Sequence, residues 1–136
     1  MQFHLDKDHL TPVIDAIKAV LPEGGVVILQ GELASGKTTL TQAFAKTFNI
    51  DEAVTSPTFS LQQCYGDILY HYDIYNHGFE HFLALGMLEE LEKPGFHFVE
   101  WGDSQLQTLL KSAMIPSVTI SIAKTEEGAR RYELSA

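Results

Sequence analysis

The stretch Gly31-Glu32-Leu33-Ala34-Ser35-Gly36-Lys37-Thr38 constrains this chain more than any other feature. It fits Gly-x-x-x-x-Gly-Lys-Thr and separates two segments of different periodicity. Before it, Val26, Val27, Ile28 and Leu29 form an unbroken aliphatic run ending in Gln30, which predicts a central strand buried on both faces of a partly parallel sheet. After it, Leu40, Phe44 and Phe48 recur every four residues with Ala43 and Ala45 beside them, which predicts an amphipathic helix over 37–48. Strand, glycine loop and helix in direct succession is the context that a phosphate-binding loop requires. Glycines let the main-chain N–H groups of 31–36 curl inward without a Cβ in the way, and the helix offers its unpaired amides and positive dipole end to the anion. The cradle is therefore Gly31, Leu33, Ala34, Ser35 and Gly36. Lys37 reaches the β- and γ-phosphate oxygens as a point charge. The Thr38 hydroxyl completes the shell of a magnesium ion bridging the same phosphates, and Thr39 donates near the α-phosphate.

A magnesium ion in such a loop also needs a carboxylate at a neighbouring strand end, and two are available. Glu100 follows Phe96-His97-Phe98-Val99, and Asp73 follows Ile68-Leu69-Tyr70-His71-Tyr72. Glu100 is favoured for the metal; Asp73 then orients the attacking water or touches a metal-bound one. Each carboxylate also has a plain alternative as a solvated charge at a strand end. No Asn-Lys-x-Asp guanine-reading motif is present, so the nucleotide expected is ATP (or ADP) by default. Arg130 and Arg131 are the chain's only arginines, and either Arg130 or its neighbour can meet base or phosphate, or simply alternate across a terminal strand. That count argues against a small-metabolite kinase, which surrounds the transferred group with several arginines.

Ser56-Pro57-Thr58-Phe59, about twenty residues after Lys37, suits a nucleotide-sensing flap. Trp101, the sole tryptophan, follows Glu100 and suits a reporter of nucleotide state or a partner anchor, packing being the alternative for both segments. His77 and His81 are four apart but lack a third ligand for zinc, and Cys64 reads as a buried hydrophobe.

With 136 residues, 45% of them hydrophobic and 20% charged, the chain is expected to be one globular domain over 1–136. A net charge of -9 argues against a stand-alone nucleic-acid clamp. The local field of the loop still suffices to bind a polyanion. No run approaches the roughly 20 apolar residues that span a bilayer, no leader is visible, and a single cysteine excludes an internal disulfide, so a reducing cytoplasm is expected.

The remaining pattern gives a short strand at 2–5 and a helix over 12 to about 21 with Thr11 as N-cap. A hairpin follows, with arms 59–65 and 68–74 about Gly66-Asp67, then a helical segment over 79–91 interrupted at Gly86. The rest reads as a strand at 96–100, a helix at 104–110 and strands at 117–123 and 131–134. The fold class is α/β of the P-loop NTPase kind: a mixed parallel and antiparallel sheet flanked by helices.

Taken in order, the loop with Thr39-Leu40, Ser56-Pro57-Thr58-Phe59, His71-Tyr72-Asp73-Ile74-Tyr75 and Val99-Glu100-Trp101-Gly102-Asp103 resemble the TsaE (YjeE) family over nearly the whole chain. These are small P-loop ATPases needed in bacteria for threonylcarbamoyladenosine formation beside the tRNA anticodon. The resemblance implies Lys37 and the loop amides on phosphates, Thr38 and Glu100 on magnesium, Asp73 as needed for hydrolysis, and Trp101 near the switch region. It also implies TsaD and TsaB as partners whose cycle the ATPase resets. Two positions depart from the family pattern: Ala34 stands where glycine is usual, and Asn76 where arginine is common. If the first position needs positive φ, Ala34 strains the loop and weakens nucleotide binding; Asn76 removes a positive charge from the site or the partner surface.

Overall fold

In the computed structural model the described residues are 2–5, 9–31, 37–48, 62–65, 68–73, 80, 86–100, 104–124 and 129–135. They form, in chain order, β1 (Gln2–Leu5), α1 (Thr11–Val20), β2 (Gly24–Gln30), α2 (Lys37–Lys46), β3 (Gln62–Tyr65) and β4 (Leu69–Asp73). After these come α3 (Met87–Leu91), β5 (Gly95–Glu100), α4 (Ser104–Ser112), β6 (Ser117–Lys124) and β7 (Arg130–Ser135).

One seven-stranded sheet takes the order β1-β7-β6-β2-β5-β4-β3. β6, β2, β5 and β4 are parallel, and the pairs β1·β7, β6·β7 and β3·β4 are antiparallel. The expected α/β mixed sheet is thus present, with β2 at its centre. Val26, Val27, Ile28 and Leu29 are all completely buried because both faces are covered. Val27 and Leu29 pack with Phe98, Leu69 and Val118 against Val13, Ile14 and Ile17 of α1 and Leu40 and Phe44 of α2. Val26 and Ile28 turn to the other face, with Tyr72, Val99, Leu91 of α3 and Leu106 and Leu110 of α4. The period-2 alternation of the strands therefore sorts the aliphatic run into two cores.

Several boundaries moved. Thr11 is the first residue of α1 rather than its cap; Leu10, whose side chain is buried in the core, holds the cap position, and its apolar side chain makes no cap bond. Of the predicted 79–91 segment, residues 79 and 81–85 lie outside the described residues; α3 starts immediately after Gly86, the expected interruption, which sits at φ 76°. The hairpin forms with Tyr65 opposite Leu69, closed by Ile68 N–H donating to the Tyr65 carbonyl at 3.3 Å. Cys64 is exposed on the edge strand β3, not buried: an outer strand leaves one side uncovered, whatever the residue's preference.

The starts of β2 and β5 approach very closely. Gly24 and Gly95 are register partners with φ of 97° and 116°. A Cβ on Gly24 would lie 2.5 Å from the Gly95 carbonyl oxygen, and one on Gly95 2.8 Å from that of Ile68. Gly95→Ala is therefore expected to destabilise the fold by at least about 2 kcal/mol, from forced positive φ plus displacement of β4, read as a fall in the urea midpoint. Metal-free nucleotide affinity should not change, because the substitution lies at the far end of the strands from the glycine loop.

Candidate nucleotide site

The carboxyl ends of the parallel strands define one edge of the sheet, and the residues with chemical interest gather there. β2 ends at Gln30 and runs into Gly31, whose φ of 151° favours glycine. Helix α2 begins at Lys37, so Lys37, Thr38 and Thr39 are its first three residues, at the amide-rich end of the helix. Leu33, Ala34, Ser35 and Gly36 lie outside the described residues, as do Ser56, Pro57, Thr58, Phe59, Asn76, His77, His81 and Trp101.

Glu100 closes β5, with Leu29 of β2 opposite it on one side and Asp73, the last residue of β4, on the other. Both predicted carboxylates thus occupy adjacent strand ends beside the strand that feeds the loop. Glu100 is almost wholly buried, and its Oε2 accepts a 2.6 Å hydrogen bond from Nε2 of His71, which is completely buried. His71 lies opposite Phe98, and Glu100 is two residues further along the same face of β5. The sequence pattern had placed His71 in a motif without giving it work; its parity with Phe98 and Glu100 is the signal that could have found it.

Two further arrangements hold this edge in place. On the α1/α2 face, the Phe44 ring packs against Phe98 at 4.8 Å, Phe96 at 4.9 Å and Phe48 at 5.3 Å between centroids. Lys18 of α1 covers the rings of Phe44 and Phe48 at 5.4 and 4.7 Å, and its Nζ donates to the Thr47 hydroxyl at 2.8 Å. Helix α2 is thereby pinned to β5 two residues before Glu100. On the other face, His97 is fully buried, and Tyr70 stacks on it at 4.5 Å. The Tyr72 hydroxyl donates to its Nδ1 at 2.7 Å, and its Nε2 donates to the Lys93 carbonyl at 2.8 Å. Burial pushes the His97 pKa down, and the two hydrogen bonds suit a neutral ring. This cluster ties β4 to β5 through Tyr72, the residue between His71 and Asp73.

Arg130 opens β7 opposite Lys124, the last residue of β6. It belongs to the same edge, two strands from β2 and three residues beyond Ser121, which faces Gln30. Its Nη1 donates to the Ala129 carbonyl at 3.3 Å, and Arg131 is exposed. A cavity of about 290 Å³ lies at the opposite end of β2 and β5, lined by Glu23, Gly24, Lys93 and Pro116 among others, and contains none of the loop-edge residues.

Comparison with known proteins gives the family. The family model described as threonylcarbamoyl adenosine biosynthesis protein TsaE matches residues 5–132. The chain belongs to the TsaE family. A tRNA threonylcarbamoyladenosine biosynthesis protein TsaE from Treponema pallidum is 38% identical over 119 residues, covering 85% of each chain. The TsaE of a Nostoc species is 33% identical, covering 98% of this chain and 83% of its own. Among solved structures, the crystal structure of Bacillus subtilis YdiB superposes with a TM-score of 0.72 at 25% identity, covering all of this chain and 84% of that one. The TsaE resemblance and the mixed α/β sheet expected from sequence both stand. Among the described residues of this TsaE-family chain, no helix is long and apolar enough to cross a membrane.

Proposed function

We propose that this chain binds ATP with magnesium at the loop edge and hydrolyses it slowly. In the cytoplasm it serves as the nucleotide-driven component of tRNA N6-threonylcarbamoyladenosine formation, working with TsaD and TsaB. Support for the pathway comes from membership of the TsaE family and from relatives that carry that biosynthetic name. Support for the chemistry rests on one observation above all: a buried carboxylate, Glu100, ends the strand next to the one that runs into the glycine loop and α2.

The donor chemistry suits magnesium, which takes hard oxygen ligands and is commonly held by one or two carboxylates plus substrate phosphates. Glu100 and the Thr38 hydroxyl would hold it, and when bound it supplies charge neutralisation along the phosphate oxygens. The amides of 31–36 and the start of α2 bind the phosphates, Lys37 adds a positive charge, and Asp73 accepts a hydrogen bond from the attacking water. Arg130, at the same edge, is the group assigned to base or phosphate. With only two arginines in the chain, transition-state charge is poorly neutralised from within, so turnover is slow until partners complete the site.

The test is phosphate release from ATP and magnesium by the purified chain, alone and with TsaD and TsaB. Release that rises with the partners is expected. Tight ATP binding without hydrolysis in either mixture would make the chain a nucleotide-regulated binding module instead. Turnover that requires a small acceptor would make it a metabolite kinase.

A further inference from the structure

We infer that His71 is the positioning residue of the magnesium carboxylate. Its Nε2–H holds Glu100 Oε2 and so sets the plane and direction in which the carboxylate meets a metal at the loop edge. The inference rests on the proposed nucleotide site and assigns a residue that the proposal leaves without a role.

Three observations carry it. First, the contact is short, at 2.6 Å, and both partners are buried, so it is not a fluctuating surface pair. A carboxylate only accepts, so Nε2 is the donor. Second, the pairing is built from the sheet itself. His71 and Phe98 are register partners, which sets the imidazole diagonally below Glu100, while the Phe98 ring beside it is packed by Phe44 of α2. The donor is therefore referenced to the same helix that starts at Lys37 and Thr38. Third, the histidine carries a cost that packing does not explain. Its Nδ1 is buried and has no hydrogen-bond partner among the described residues. Apolar residues at both 71 and 100 would leave no buried polar atom unsatisfied, and replacing both partners of a buried polar pair by apolar groups of similar volume is commonly neutral or stabilising, so stability alone does not account for the pair. What an apolar residue cannot do is hold Oε2. Groups that orient a ligating carboxylate typically govern metal affinity by about 10- to 100-fold.

The test compares ADP affinity by calorimetry in magnesium and in EDTA, the ratio of the two giving the gain due to the metal. It is repeated with manganese, whose binding is followed directly by electron paramagnetic resonance. For His71→Leu, the gain due to the metal should fall about tenfold or more while affinity in EDTA stays within about twofold. His71→Gln, whose amide nitrogen reaches the position of Nε2, should restore most of it. His71→Asn, one methylene shorter, should not, and the Gln–Asn contrast keeps the inference testable if the leucine variant fails to fold. A folded His71→Leu protein that keeps the full metal-dependent gain, or one that loses affinity equally with and without metal, would overturn the inference. Equal behaviour of the Gln and Asn variants would do the same. Glu100→Gln separates the two levels. If it abolishes the gain and His71→Leu does not, only the role of His71 falls. If the wild-type chain shows no gain at all, or Glu100→Gln retains it, the metal assignment falls and the role of His71 with it.

Discussion

Lys37→Ala is expected to lower ATP affinity at least about a hundredfold, measured by calorimetry with and without magnesium. Charge-assisted hydrogen bonds contribute about 1.5–3 kcal/mol each, each 1.36 kcal/mol is tenfold, and this ammonium is assigned to two phosphate groups at once. The loss should be similar in EDTA, because the lysine acts on phosphate rather than on the metal, whereas Glu100→Gln acts only when metal is present. The thermal midpoint of the nucleotide-free protein should barely change, since α2 is anchored by residues further along it: Leu40, Thr41, Phe44 and Ala45, all buried. A loss below tenfold would remove the phosphate-binding assignment of the loop, and with it the ATPase proposal.

The parts of this architecture written in local pattern were legible, and the parts created by pairing distant residues were not. The aliphatic run of β2 declared a strand covered on both sides, the four-residue spacing of Leu40, Phe44 and Phe48 declared a helix, and both are present. The spacing also placed Glu100 and Asp73 at strand ends, and the register puts those ends side by side. Neither the His71–Glu100 bond nor the Tyr72–His97 bond could be read that way, because their partners lie 29 and 25 residues apart and meet only when β4 lies parallel to β5. The error at Cys64 has the same origin: burial depends on strand order, and β3 falls at the sheet edge. Thr11 is a smaller instance, where the buried side chain of Leu10 outweighed the hydroxyl's preference for the cap. The contact of Lys18 with Thr47 and the two phenylalanine rings is of the same kind, existing only because α1 and α2 share one face of the sheet.

Phe44→Ala is expected to be the most damaging of the substitutions considered for stability, at about 3–5 kcal/mol by urea unfolding, against a typical total of about 5–15 kcal/mol for a domain. The ring is completely buried and meets Phe48, Phe96 and Phe98 at centroid distances of 5.3, 4.9 and 4.8 Å, so its removal opens a cavity at the centre of one core. Aromatic contacts and the cation above them add to the transfer and cavity terms. Phe48→Ala should cost distinctly less, because that ring is only partly buried at the end of the same cluster. The functional consequence separates this variant from Lys37→Ala. Phe44 touches no phosphate, yet it holds α2 against the strand that carries Glu100, so the surviving folded fraction of Phe44→Ala should lose the metal-dependent part of nucleotide affinity disproportionately. If instead Phe44→Ala costs under about 1 kcal/mol and leaves the metal-dependent gain intact, then the phenylalanine cluster is not what aligns the loop helix with the carboxylate. The alignment would then have to come from the strand pairing of β2 with β5 alone.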